Sequence, residues 1–319
     1  AQYVIIDSVI FKGNEKTKGS ILRRELDLNS GDTVQVADLD ARLEFNRRKL
    51  TNTNLFILVK GDYTQNKPEH VVVTYEFSEQ WYLLGYPIFQ LADRNLNEWW
   101  SKGHSFGRTI YGAHLIHNNF MGRNEKLSFK AETGFSQRVE LGYSNPYLDR
   151  KKTIGLGLAL SYSNSTNIIY KTDFDKLKIL SGDKIVRERW ASALSLRKRF
   201  KFYDFQFLEF RYSHSVVTDT VLKLNPNYFF RGLNEQNFLQ LTYAFSYDFR
   251  DNAAYPLRGR KIDFGYNYSQ IMGPNGMNFW DVRAAAAYFL DLKSGFFFST
   301  EWKAKYTQEN RSIPFANLQ

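Results

Sequence analysis

The chain contains no cysteine, which excludes a disulfide scaffold and a zinc–thiolate site. It also lacks any run approaching the roughly 18–20 apolar residues that a membrane-spanning helix requires. That second absence excludes a helical membrane protein but leaves a β-barrel open. Barrel strands alternate apolar and polar residues, which agrees with a mean hydropathy of -0.46. Phosphate-binding glycine loops, nucleotide motifs and metal-ligand spacings are missing too. The expectation is therefore a non-enzymatic protein with no catalytic residue, cofactor or metal. No signal peptide precedes Ala1-Gln2, a start that suits a mature N-terminus after a small-residue cleavage site, and equally an arbitrary one.

What is present is aromatic and basic. The 319 residues include 20 Tyr and 27 Phe, residue types that favour strands and membrane–water girdles. The net charge is +10, but the cations are scattered through alternating segments rather than gathered in one tail or helix. That distribution argues against nucleic acid as a partner and for a cationic barrel surface or lumen.

Residues 1 to about 78 read as a small α+β unit. Tyr3 to Phe11 is an apolar strand ending at the turn pair Gly13-Asn14. A helix is expected around Lys16 to Leu26, and a second over about Val36 to Leu50, where Leu39, Leu43 and Leu50 fall near helical spacing. Two strands follow, Leu55 to Tyr63 and His70 to Phe77. From residue 79 the period becomes two. Leu239, Leu241, Tyr243, Phe245, Tyr247 and Phe249 alternate with Gln240, Thr242, Ala244, Ser246 and Asp248. Ile154 to Tyr162 and Phe296 to Tyr306 alternate likewise, the latter with Glu301, Lys303 and Lys305 on its second face. Charges there require contact with water, as in a barrel lumen.

About eleven such strands are expected, each near the roughly 10 residues that cross a bilayer at a tilt. Tight links at 122–124, 201–203 and 291–293 alternate with longer ones at 93–104, 165–186 and 218–236. If the N-terminal unit is periplasmic, the long loops all fall outside. An unpaired eleventh strand is not tolerated in hydrocarbon, so further strands are expected beyond Gln319.

Three segments carry a family resemblance. Asn119-Phe120-Met121-Gly122-Arg123-Asn124 resembles the N-x-L-G turn after the second barrel strand of BamA-type outer-membrane assembly factors. Tyr143-Ser144-Asn145-Pro146-Tyr147 resembles their N-P-Y-F turn after the fourth strand. Asp248-Phe249-Arg250-Asp251-Asn252, with Pro256 and Gly259, resembles the turn after the eighth. Each is weak alone, because Asn, Pro and Gly mark turns generally; in register, behind a β-α-α-β-β unit that resembles a POTRA domain, they reinforce one another. The resemblance implies an antiparallel outer-membrane barrel of 16 strands, about eleven of them present, with the POTRA-like domain (1–78) in the periplasm and the barrel over 79–319. It also implies a sixth loop carrying V-R-G-[FY]. Phe230-Arg231-Gly232-Leu233 imitates that motif in the fourth outer loop and is read as an ordinary glycine-containing loop.

Other chemistry has plainer explanations. His214 shares a strand face with Phe210 and Tyr212, while Ser213 and Ser215 share the other, so a Ser–His nucleophile is not assembled. His114 and His117 face opposite ways and are not a metal pair. Arg197, Lys198, Arg199 and Lys201 offer a contact for anionic lipid headgroups, or a solvated turn. Pro87 lies within the first barrel strand, Trp81 to Leu91, where proline removes a ladder donor. In the family this strand forms a seam with the last, proposed to open to client strands. Trp81, Tyr82, Tyr86, Pro87 and Leu91 are the expected seam residues, unless Pro87 sits outside the paired section.

The resemblance implies a function in inserting or translocating outer-membrane proteins through that seam. Alternatives are a two-partner-type polypeptide secretion pore, or a barrel anchor or accessory subunit of a larger complex. Expected partners are outer-membrane protein clients, periplasmic or outer-membrane complex subunits, and lipids including lipopolysaccharide. A single POTRA-like unit departs from the assembly factors that have several, and puts an essential insertase role in doubt.

Overall fold

The computed structural model describes all residues except 1, 92–94, 102, 104–105, 147, 150, 152, 175, 183, 201–203, 251–255, 274–275, 310–311 and 318–319. The chain divides into two units, residues 1–84 with 116–127, and residues 85–115 with 128–319.

In the first unit the order is β1 (Tyr3–Lys12), α1 (Gly19–Glu25), β2 (Thr33–Gln35), α2 (Val36–Thr51), β3 (Phe56–Lys67) and β4 (His70–Glu79). The sheet runs β2-β1-β4-β3, with β1 parallel to β4 and the other pairs antiparallel. Alternate residues of β1 and β4 (Val4 and Ile6; Val71, Val73, Tyr75 and Phe77) meet Ile21 and Leu22 of α1 and Leu39, Leu43 and Leu50 of α2 in one core. Asn46 is buried on α2 but satisfied. Its Oδ1 accepts from the Asp27 amide and its Nδ2 donates to the Arg42 carbonyl, both at 2.9 Å. The β-α-α-β-β reading therefore gains one short strand, β2.

Eleven strands form the large sheet, in the order β17-β16-β15-β14-β13-β12-β9-β8-β7-β6-β5. They are β5 (Leu83–Leu91), β6 (Thr109–Phe120), β7 (Glu125–Gly134), β8 (Ser136–Asn145), β9 (Ile154–Ser165), β12 (Arg187–Phe200), β13 (Asp204–Val217), β14 (Glu235–Arg250), β15 (Gly259–Met272), β16 (Met277–Asp291) and β17 (Phe297–Glu309). Helix α3 (Leu96–Ser101), the hairpin β10 (Asn167–Asp173) with β11 (Lys176–Ser181), and helix α4 (Asp219–Leu224) lie in the longer connections at one end. Two links at that end are short, Phe135 and 273–276, so long and short connections do not alternate strictly.

Pairing sets one chemistry on each face. Leu158 and Leu160 on β9 align with Leu194 and Ser192 on β12, and Leu194 aligns with Phe210 on β13. Trp190 lies against Tyr162, Trp280 against Tyr266 and Tyr306. Leu160, Trp190 and Trp302 are more than half exposed, as apolar side chains are when their face meets lipid rather than a protein core. The second face is polar and connected. Thr242 Oγ1 donates to Asn267 Oδ1 (2.8 Å), Asn267 Nδ2 donates to Asp281 (3.0 Å), and Arg283 Nε donates to the same carboxylate (2.9 Å). Among the described residues, no helix is long and apolar enough to cross a membrane.

Candidate functional site

The expected seam residues divide between the two units. Trp81 and Tyr82 belong to the first, Tyr86, Pro87 and Leu91 to the second. Among the described residues, strand β5 is an edge of the large sheet, paired with β6 alone. Its register follows from one bond, Asn118 N–H donating to the Tyr82 carbonyl at 2.8 Å. Tyr86 faces the His114 ring at 6.4 Å and Gly85 faces Leu115, which continues the same register without a bulge. In an antiparallel ladder hydrogen-bonded and non-hydrogen-bonded pairs alternate. Residues 82, 84, 86, 88 and 90 thus turn their amides toward β6, and residues 83 to 91 at odd numbers turn theirs to the open edge. Pro87 stands opposite Ala113 with its nitrogen on that open side. It lies inside the strand, not above or below it, yet costs the β5–β6 ladder no bond. Proline on an edge strand is tolerated in this orientation, and it leaves a gap in the donor row of the edge. Tyr86 and Phe89 are about half and two-thirds exposed, Leu91 half-buried.

Within the first unit, a buried network gathers around Tyr82. The Tyr82 hydroxyl donates to the Leu55 carbonyl at 2.8 Å and lies 3.0 Å from Thr17 Oγ1. Asn119 Nδ2 donates to the same Thr17 oxygen at 2.8 Å, while Asn119 Oδ1 accepts from the Asn124 amide at 2.8 Å. The Glu79 carboxylate accepts from the Thr17 and Lys16 amides at 2.7 and 3.0 Å. The Lys18 amide donates to the Gly122 carbonyl at 2.9 Å. Gly122 has φ +71°, and a Cβ there would lie 2.1 Å from the Lys16 carbonyl oxygen. Only glycine fits both the left-handed backbone and that approach. Trp81 remains exposed, with the Lys16 ammonium 5.7 Å from its ring.

The other two motif turns stand apart in the second unit. Asn145 ends β8 opposite Leu156, and Pro146 follows it half-buried; Tyr147 lies outside the described residues. Asp149 closes this turn by accepting from the Thr153 and Ile154 amides and the Thr153 hydroxyl, all at 2.8 Å. Burial opposes ionisation of that carboxyl, but these donors outweigh it and hold its pKa below the ordinary value. In the third motif, Arg250 grips Asp248 through Nε (2.7 Å) and Nη2 (2.6 Å). Gly259 pairs with Arg250, at φ +110°, where a Cβ would lie 2.0 Å from the Phe249 carbonyl oxygen. Pro256 is half-buried, and Asp251 and Asn252 lie outside the described residues.

Thr17 and Glu79 are the site residues that sequence reasoning did not single out. Neither carries a motif; their roles arise from closure over 102 and 62 residues of chain. His214 Nδ1 lies 2.9 Å from Asn237 Oδ1 on the aromatic face, whereas Ser213 and Ser215 line a cavity on the polar face. Phe230–Gly232 is a tight turn in the connection after α4, with Arg231 in the left-handed region (φ 59°) and its guanidinium over the Phe230 ring.

An α+β module ahead of a long antiparallel sheet, with one lipid-type and one charged face, defines an outer-membrane β-barrel protein with an N-terminal accessory domain. Residues 119–318 match the Omp85 superfamily domain, and residues 4–80 match the POTRA model described as a surface antigen variable number repeat. The chain belongs to the Omp85 superfamily. It resembles the structure of BamA from Haemophilus ducreyi lacking POTRA domains 1–3, at 16% identity and a TM-score of 0.64, over 98% of this chain and 57% of that one. CdiB from Escherichia coli is similar at 12% identity and a TM-score of 0.50, over 96% and 55%. This chain thus spans little more than half the length of either structure. No curated protein matches it significantly. The fold is BamA-like, with a POTRA domain and eleven barrel-type strands.

Proposed function

We propose that this protein assists the insertion or translocation of outer-membrane proteins, with β5 as the strand that clients meet. The observation that carries the reading is the position of Pro87 in the edge strand, its nitrogen on the open side. A ladder formed on that side lacks one donor, so the seam is weaker there and exchanges more readily for a client strand. The process requires no catalytic residue, cofactor or metal, because strand exchange trades one set of backbone hydrogen bonds for another. The protein resides in the bacterial outer membrane with its POTRA domain in the periplasm. That domain supplies a second edge. Among the described residues strand β3 pairs only with β4, and Ile57 and Leu58 at its start are exposed. This edge suits a periplasmic partner or a subunit of a larger complex. Lipids, lipopolysaccharide included, contact the apolar face.

The test locks the seam. In the complete protein, cysteines are placed from Trp81 to Leu91 and in the last barrel strand, and are oxidised in living cells. Loss of growth or of outer-membrane protein assembly on locking, reversed by reductant, supports the reading. A fully locked seam with normal assembly contradicts it and favours the second reading, a polypeptide secretion pore or passive anchor, which rests on the hydrated, charged second face of the sheet.

A further inference from the structure

The polar face carries its cations unevenly. Lys130 pairs with Glu132 at 2.6 Å, Arg138 with Glu140 at 2.7 Å, and Arg211 with Glu209 at 2.9 Å. Each acid lies two residues away on the same strand and face. Arg187 and Arg189 on β12 share this face, but the neighbouring acid, Glu188, points to the other one. Among the described residues neither guanidinium has a carboxylate partner. Among the described residues Arg189 Nη2 reaches Ser213 Oγ alone, at 3.4 Å, and its buried Nε has no acceptor. Its charged surroundings are Arg138, Arg187 and Arg211. The register sets Arg189 between Ser163 of β9 and Ser215 of β13. These small hydroxyl side chains leave room beside it. Two cavities of about 530 and 550 Å³ are both lined by Arg187 and Arg189.

Adjacent guanidinium groups with a buried unsatisfied donor are costly unless an anion joins them. The planar fork of arginine matches a tetrahedral or planar oxyanion through paired N–H donors. We propose that Arg187 and Arg189 form a binding site for a phosphate-type oxyanion on the lumenal face of the sheet, with Ser163, Ser213 and Ser215 completing its shell. The phosphate comes either free from solution or attached to a sugar headgroup of the kind lipopolysaccharide presents. Gln90 of β5 lines the first of these cavities, but the site does not depend on whether the seam opens.

The test is calorimetric titration of the complete folded protein in detergent, in phosphate-free buffer at fixed ionic strength. The probes are inorganic phosphate and glucosamine 1-phosphate. Saturable binding of at least one probe is expected. The Kd should rise at least tenfold in Arg187→Gln/Arg189→Gln and less in Arg189→Lys, which keeps the charge and loses the fork. Lys261→Gln/Lys303→Gln removes the same charge elsewhere on this face, where each lysine already has a carboxylate partner, and should stay within twofold of the parent. Tighter binding of the sugar phosphate assigns the headgroup source, and equal or tighter binding of inorganic phosphate assigns the free ion. Absence of saturable binding of both probes, or equal weakening in the two double variants, overturns the proposal.

Discussion

At the scale of single residues, the decisive positions are those where backbone geometry leaves no alternative. Gly122 combines φ +71° with a Cβ position 2.1 Å from the Lys16 carbonyl. Gly122→Ala is expected to destabilise the first unit by roughly 1–3 kcal/mol, the range for left-handed strain on a residue with a side chain, and to expose residues 13–18 to protease. Limited proteolysis of the folded protein reads this directly. Glu44 makes a different kind of prediction. Hydrogen bonds from Arg47 and then Arg48 hold its carboxyl at about 2, against an ordinary value of 4.5. A lowered pKa contributes stability that is present above 4.5 and lost as pH falls toward 2. The group is exposed, so the contribution is small and screened by salt. Parent and Glu44→Gln should therefore differ in stability at neutral pH in low salt, and converge as the pH drops from about 4.5 to 2. Asn119 and Gly122 were legible in the sequence through their motif. Thr17 and Glu79 were not, because an ordinary Thr and an ordinary Glu acquire meaning only from what the fold brings to them.

At the scale of elements, period-two alternation led to the expectation of about eleven strands, and the large sheet has eleven among the described residues, since one face must meet lipid and the other water. It missed β2, which has three residues and no resolvable period, and the β10–β11 hairpin, read as loop. The first helix begins later than its apolar spacing implies, at Gly19 rather than Lys16. The amides of Lys16, Thr17 and Lys18 are already taken by Glu79 and the Gly122 carbonyl, so those residues fold against the turn. The two faces of β9 give a sharp contrast. Leu158→Arg on the apolar face should cost about 2–4 kcal/mol in a bilayer, whereas Ser161→Arg on the polar face should be nearly neutral; folding titrations into lipid vesicles distinguish them. Pro87→Ala should restore a donor to the open side of β5 and add about 0.5–1.5 kcal/mol to any ladder formed there. Greater resistance of the complete protein to heat unfolding, with slower client assembly, is the expected outcome.

At the scale of the whole molecule, the motifs fixed the family more firmly than they fixed a site. Their residues lie in three separate turns, and what unites them is position in the sheet rather than shared chemistry. The central claim is that clients pair with β5 and do not thread the lumen. Cysteines placed singly along Leu83–Leu91 and, for comparison, at lumenal Ser161, Ser163 and Ser215 in the complete protein separate these routes. Disulfide trapping with nascent outer-membrane proteins should yield adducts along β5 that shift one residue on the client for each residue moved, as strand register demands, with few adducts from the lumenal positions. Adducts confined to the lumenal serines, with β5 unreactive, would contradict the account and mark the protein as a conduit.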